Sequence, residues 1–166
     1  MIKQIMVVAF ILSLIALTVA IFVDLTNDPE LQNPINRAIH RIMTGEQLSP
    51  ADHIKEDQIR IEDDKVIITI KNARLAAFAD TNSMDPFLDE TSNAIQIIPE
   101  SPDQIHLGDI ISYNSAQGDI IIHRVVNMGE DENGIFYITK GDNNSSPDDK
   151  LIRFQQVRYI TVGIIY

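Results

Sequence analysis

Apolar and polar residues alternate with three different rhythms along this chain. From Ile5 to Val23 the run is continuously apolar, with only Ser13 and Thr18 as mildly polar members. A helix crossing the hydrocarbon core needs about 20 such residues, so the stretch predicts a transmembrane anchor over 1–24. Lys3 precedes it, and Asp24, Asp28 and Glu30 follow. Positive charge on the N-terminal side favours an N-inside, C-outside orientation. A cleaved signal peptide ending at Thr18-Val19-Ala20 is the competing reading. The apolar run continues past that point through Ile21, Phe22 and Val23, which favours the anchor.

The second rhythm is helical. Ile35, Ala38, Ile39 and Ile42 recur at spacings of three and four, after Pro34 and before Gly45. This predicts a short amphipathic helix within a connector over 25–56. His40 lies in it and reads as a solvated histidine.

From Gln58 the period becomes two, and a domain over 57–166 is expected. Ile59 and Ile61 alternate with Gln58, Arg60 and Glu62. Asp63-Asp64 signals a turn, and Val66 to Ile70 reads as a buried strand. Further apolar β runs are Ala73–Ala79, Ala94–Ile98, Ile110–Tyr113, Ile120–Val126, Ile135–Thr139 and Val157–Tyr166, with polar or Gly-containing turns between them. Many short strands joined by turns predict a mainly β domain, a folded sheet or partly closed barrel.

Charge and composition narrow the function classes. The formal net charge of −11 argues against nucleic acid, which is bound through clustered Lys and Arg. With no cysteine there is no disulfide, no thiol nucleophile and no Cys-type zinc site.

Three short motifs carry candidate chemistry. The first is Thr81-Asn82-Ser83-Met84-Asp85-Pro86, placed where the Ala73–Ala79 run breaks into a turn. The proline fixes its own φ and biases its predecessor away from α. A serine is a poor nucleophile until a base takes its proton. The second motif, Ile121-Ile122-His123-Arg124-Val125-Val126, offers such a base, downstream of Gly108-Asp109. The third is the polar loop Lys140-Gly141-Asp142-Asn143-Asn144, continuing to Asp148-Asp149, which supplies carboxylates to orient the base. Each is weak alone. A histidine in an Ile/Val strand is more often a satisfied core residue, and an Asp-Asn-Asn loop is usually only a turn. Asp142, Asn144, Ser146 and Asp148 also have the alternating oxygens of a calcium loop, but Pro147 and Arg153 stand where such loops need Gly and Glu.

Taken in order, the motifs resemble the membrane-bound signal peptidases I, of the archaeal and endoplasmic-reticulum type. Ser83-Met84-Asp85-Pro86, Gly108-Asp109, His123-Arg124-Val125-Val126 and Lys140 to Asn144 with Asp148 carry the likeness, which spans about Arg74 to Tyr166 plus the anchor. The resemblance implies a signal-peptidase-like fold and a serine endopeptidase that removes signal peptides from exported preproteins after small residues. It implies Ser83 as nucleophile, His123 as general base and then acid, Asp148 as the partner of His123, and Asp142 as a second acidic residue that holds the loop or shares the role. The Ser83 N–H and the Thr81 hydroxyl are the implied oxyanion donors. No metal or organic cofactor is implied. The implied partners are preproteins and membrane lipid, with the translocation machinery a further candidate, and the implied location is the extracytoplasmic face of the membrane.

The chain also departs from the pattern. Asn82 stands where glycine is usual, which requires a left-handed asparagine. The region between the anchor and Ser83 is longer than the family's, which bears on substrate more than on chemistry. Lys140 is an alternative base, made less attractive by the histidine in the family's lysine position. Two other readings stay open: a regulatory membrane protease with a non-secretory substrate, and a silent membrane-anchored binding module.

Overall fold

The computed structural model describes residues 47–166, with Ile15 and Thr18 ahead of them. The expected anchor and connector helix fall on 5–23 and 28–49, almost wholly outside the described residues. Among the described residues no helix is long and apolar enough to cross a membrane. The compact unit runs Gln47–Tyr166, so it begins ahead of the expected start at 57.

The unit is mainly β. Nine strands form in chain order: β1 (Ile59–Glu62), β2 (Lys65–Ile68), β3 (Arg74–Ala77), β4 (Asn93–Ile97), β5 (Ile110–Asn114), β6 (Ile120–Asp131), β7 (Gly134–Lys140), β8 (Ile152–Arg153) and β9 (Val157–Ile165). The alternation at Gln58–Glu62 and the apolar runs after it foretold all but β8, which is too short to show a pattern. β6 continues to Asp131 and β7 begins at Gly134, whose φ of 91° suits glycine.

All ladders are antiparallel. The large sheet has the order β3-β4-β9-β5-β6-β7-β8, and among the described residues no ladder joins β3 to β8. The sheet is therefore open rather than closed into a barrel. Its core gathers Ile105, Ile111, Tyr113, Val125, Tyr137, Ile152, Val157 and Ile160. Met84, Leu88 and Ile110 form a smaller cluster beneath the Ser83 turn.

β1 and β2 form a separate two-stranded sheet. The expectation of a buried strand at Val66–Ile70 fails here. Ile61 is 79% and Val66 is 65% exposed, and the two are paired across the hairpin. An apolar strand is buried only if something covers its face. β2 hydrogen-bonds to β1 alone, and no third strand joins it among the described residues.

Candidate functional site

The Ser83 turn follows β3, an edge strand, so Ser83 is carried at the margin of the sheet. Asn82 takes the left-handed conformation that the motif requires, with φ 57°. Its side chain is short and polar, which makes asparagine one of the few residues tolerated there. Phe87 N–H and Leu88 N–H both donate to Met84 O, and buried Met84 roots the turn in the core. Ser83 itself is half-buried, and its Oγ lies 3.3 Å from Thr81 Oγ1. The Ser83 N–H donates no hydrogen bond among the described residues.

The 141–149 loop grips this turn from the other side. Asn143 N–H donates to Ser83 O at 3.0 Å, and Asn143 Nδ2 donates to Asn82 O at 2.9 Å. Asp142 N–H points at Met84 Sδ at 3.4 Å. Gly141 is required by the closeness of this docking. A Cβ there would stand 2.5 Å from Ser83 O, inside van der Waals contact.

β6 contributes two functional residues in succession. Side chains alternate across a strand, so His123 and Arg124 point to opposite faces, and both are buried. Each takes a different aspartate from the same loop. His123 Nδ1 lies 2.7 Å from Asp148 Oδ2. Arg124 makes a two-pronged pair with Asp142, Nε to Oδ1 at 2.7 Å and Nη2 to Oδ2 at 2.6 Å. Arg124 Nη1 also donates to Leu48 O and Gly108 O, each at 2.8 Å. Asp142 therefore braces the loop and does not touch His123. With Asp142 and Asp148 engaged by different partners, their oxygens are not gathered as a calcium loop would need.

Asp148 Oδ2 is heavily hydrogen-bonded. Besides His123 it accepts from Thr139 Oγ1 at 2.6 Å and from Tyr113 OH at 2.9 Å. Asp148 N–H is tied to Thr139 O. Burial, and to a lesser degree the carboxylate it faces, raise the Tyr113 phenol above its ordinary pKa against a smaller opposing effect of Thr139, so it stays a donor. This shell holds the Asp148 carboxyl in place. A carboxylate at Nδ1 fixes the tautomer with the proton on Nδ1, which leaves Nε2 with its lone pair to receive one.

Ser83, Thr81 and His123 line one groove of about 450 Å³. Its apolar walls come from Ala76 to Ala79 on one side and Ile120 to Ile122 on the other. Buried Gln96 and Ser112 reach the same groove and are hydrogen-bonded to each other at 2.8 Å. Sequence reading overlooked these two, because a polar residue inside an apolar strand looks like an interruption until the sheet is assembled. Asp149 and Lys140 make no side-chain hydrogen bond or ion pair among the described residues, and neither lines this groove.

A second His–Asp group, also missed from sequence, lies where the segment before β1 meets the turn before β5. His53 Nε2 is 3.0 Å from Asp109 Oδ1, and His106 Nδ1 is 3.7 Å from Asp109 Oδ2. Ala51 N–H and His106 N–H hold the two carboxylate oxygens at 2.9 and 2.8 Å. Contact with Asp109 raises the His53 pKa despite burial. Burial alone would raise the Asp109 carboxyl, but His53 and the two backbone donors hold it below its ordinary value. The available signal was Gly108-Asp109, which sequence showed only as a turn and as part of the family likeness, with His106 two residues before Gly108. Gly108 has φ 95°, and a Cβ there would collide with the Ser49 carbonyl, so the 47–53 segment lies tight against this turn.

Compared with protein-family models, curated proteins and solved structures, the chain matches none of them.

Proposed function

We propose that this chain is a membrane-anchored serine endopeptidase of the signal peptidase I type, acting on extended peptides with small side chains at the cleavage site. The observation that carries the reading is the 2.7 Å contact of His123 Nδ1 with Asp148, on a histidine that shares a groove with Ser83. Such an arrangement can run acyl transfer. Ser83 Oγ attacks the scissile carbonyl carbon while His123 Nε2 takes its proton, and Asp148 stabilises the resulting imidazolium. The Ser83 N–H and Thr81 hydroxyl hold the oxyanion. Collapse expels the amine, which takes the proton from His123. Water then cleaves the acyl-enzyme by the same route in reverse.

The groove supports the substrate class. Ala76, Ala77 and Ala79 leave shallow recesses beside Ser83, and the outer edge of β3 has backbone groups unpaired by any strand among the described residues. An extended peptide can add to such an edge, which leaves the recesses to choose side chains. The resemblance to the family and the apolar run over 5–23 support a site close to a membrane, where a signal peptide meets its mature protein.

The test is cleavage of a preprotein with a small-x-small signal by the detergent-solubilised full chain, beside Ser83→Ala and His123→Ala. Cutting after the small residue by the wild type alone is the expected result. A wild type that cuts no preprotein, yet is labelled at Ser83 by a serine-directed phosphonate, would move the reading to a non-secretory substrate. No cleavage and no labelling would leave a silent binding module.

A further inference from the structure

We propose that His53, His106 and Asp109 form a binding site for a divalent transition-metal ion of the zinc type, separate from the Ser83 groove. The site goes beyond the peptidase reading and does not depend on it.

The donor atoms of the three residues all lie within 4.8 Å of one another. Tetrahedral zinc with ligands at about 2.0–2.1 Å places its donors about 3.4 Å apart. His53 Nε2 stands 3.0 Å from Asp109 Oδ1 and His106 Nδ1 stands 3.7 Å from Asp109 Oδ2, so each ring nitrogen faces its own carboxylate oxygen at a separation close to that value. The longer one involves His106, whose side chain is 54% exposed and has room to swing inward. Two imidazoles and one carboxylate suit zinc and its neighbours, whereas calcium and magnesium prefer sites built from oxygen alone.

A second observation points the same way. The His53 side chain is only 10% exposed, and its Nε2 has no hydrogen-bond partner among the described residues. The Asp109 oxygen is close enough, yet a proton on Nε2 would not be directed at it. A buried ring nitrogen set beside a carboxylate, but off the hydrogen-bond direction, is well arranged to give its lone pair to an ion between them. The surroundings are also those of a ligand. Asp109 is fully buried, and its two backbone donors orient it as outer-shell groups orient metal-binding carboxylates.

Three protein ligands leave one coordination position for water. The residues come from two stretches far apart in sequence, so the ion would fasten the 47–53 segment to the start of β5. Val125 N–H donates to Asp109 O, which links the same point to β6 two residues beyond His123. The expected role is therefore to secure the strand pair that carries the groove histidine.

The experiment uses the untagged full chain in detergent, stripped with a chelator and titrated with zinc against a chromophoric competitor. One zinc per chain is expected, with a rise in Tm and, with cobalt instead, a tetrahedral absorption band. Changing an outer-shell group costs about 10–100-fold in metal affinity, so loss of a direct ligand in His106→Ala or His53→Ala should exceed that range. His106→Ala is the decisive variant, because the exposed ring is not needed for folding, which near-ultraviolet circular dichroism can check. His123→Ala should retain the zinc. The proposal is overturned if wild type binds no zinc. It is equally overturned if His106→Ala binds zinc as tightly as wild type, or if His123→Ala is the variant that loses it.

Discussion

Among the described residues, His123–Asp148 and His53–Asp109 are His–Asp pairs of nearly equal closeness in very different surroundings. His123–Asp148 opens on a groove that also holds Ser83. Its carboxylate is surrounded by hydroxyl donors on a β strand and in the core. His53–Asp109 lies where a chain segment crosses a turn, with its carboxylate held by backbone N–H groups. The comparison teaches that closeness of the pair does not define its chemistry. What decides is whether the second ring nitrogen faces a reacting group, and what else the carboxylate is holding in place.

Four substitutions would break or sharpen this contrast. The largest effect is expected from His123→Ala. Loss of a positioned base should lower kcat by about 10²–10⁴-fold with little change in Tm. An unaltered kcat on a cleaved peptide would remove the distinction between the pairs.

Asp142→Ala comes next, and its damage should be to stability. The Arg124 and Asp142 side chains are 5% and 3% exposed, and breaking a buried pair from one side costs about 3–5 kcal/mol. Denaturant unfolding would measure it. A fully stable variant lacking only activity would instead mean that Asp142 shares the work of Asp148.

Asp109→Ala should also be a stability variant. It leaves the Ala51 and His106 N–H groups unpaired, at about 1–3 kcal/mol each when buried. Its Tm should fall by roughly 10 °C. An unchanged Tm with a collapsed kcat would place Asp109 in the reaction and erase the contrast.

Tyr113→Phe should be the mildest. It removes one donor from Asp148 and leaves the ring in the core. A hydrogen bond to a charged group contributes about 1.5–3 kcal/mol to stability, so Tm should fall by several degrees, and kcat by roughly tenfold as Asp148 holds His123 less firmly. A fall in Tm with kcat unchanged would make the hydroxyl a packing device.

Much of this was visible in the chain before any coordinates. One alternating stretch and seven short apolar runs bounded by turn residues located eight of the nine strands, because a strand buried on one or both faces leaves one of those two patterns. Ser83 and His123 stood out because each interrupts an apolar pattern with a reactive group. The division of labour between Asp142 and Asp148 was not legible. Both lie in one polar loop, and only the turn at Gly141–Asn144 sends them to opposite sides of β6. Nor was the exposure of β2, since Val66, Ile67 and Ile68 read alike whether or not something covers them. His53 and Asp109 stayed hidden for a simpler reason. Their meeting depends on a chain crossing, and no local rhythm records one.

The succession of His123 and Arg124 on one strand has a consequence for fidelity of assembly. Suppose β6 slipped by one residue, so that His123 took the seat of Arg124 or, in the other direction, Arg124 took the seat of His123. Either slip would still set a side-chain nitrogen beside an aspartate, and a coarse tally of polar pairs would accept the error. Donor and acceptor matching would reject it. The Arg124 seat presents two carbonyl oxygens, Leu48 O and Gly108 O, that want the many-handed guanidinium and that an imidazole cannot both serve. The His123 seat would receive a group that never gives up its proton near neutrality, which on the proposed reading leaves Ser83 without a base. The two neighbours thus act as a proofreading couple, in which a structural arginine certifies that the histidine beside it faces the right way.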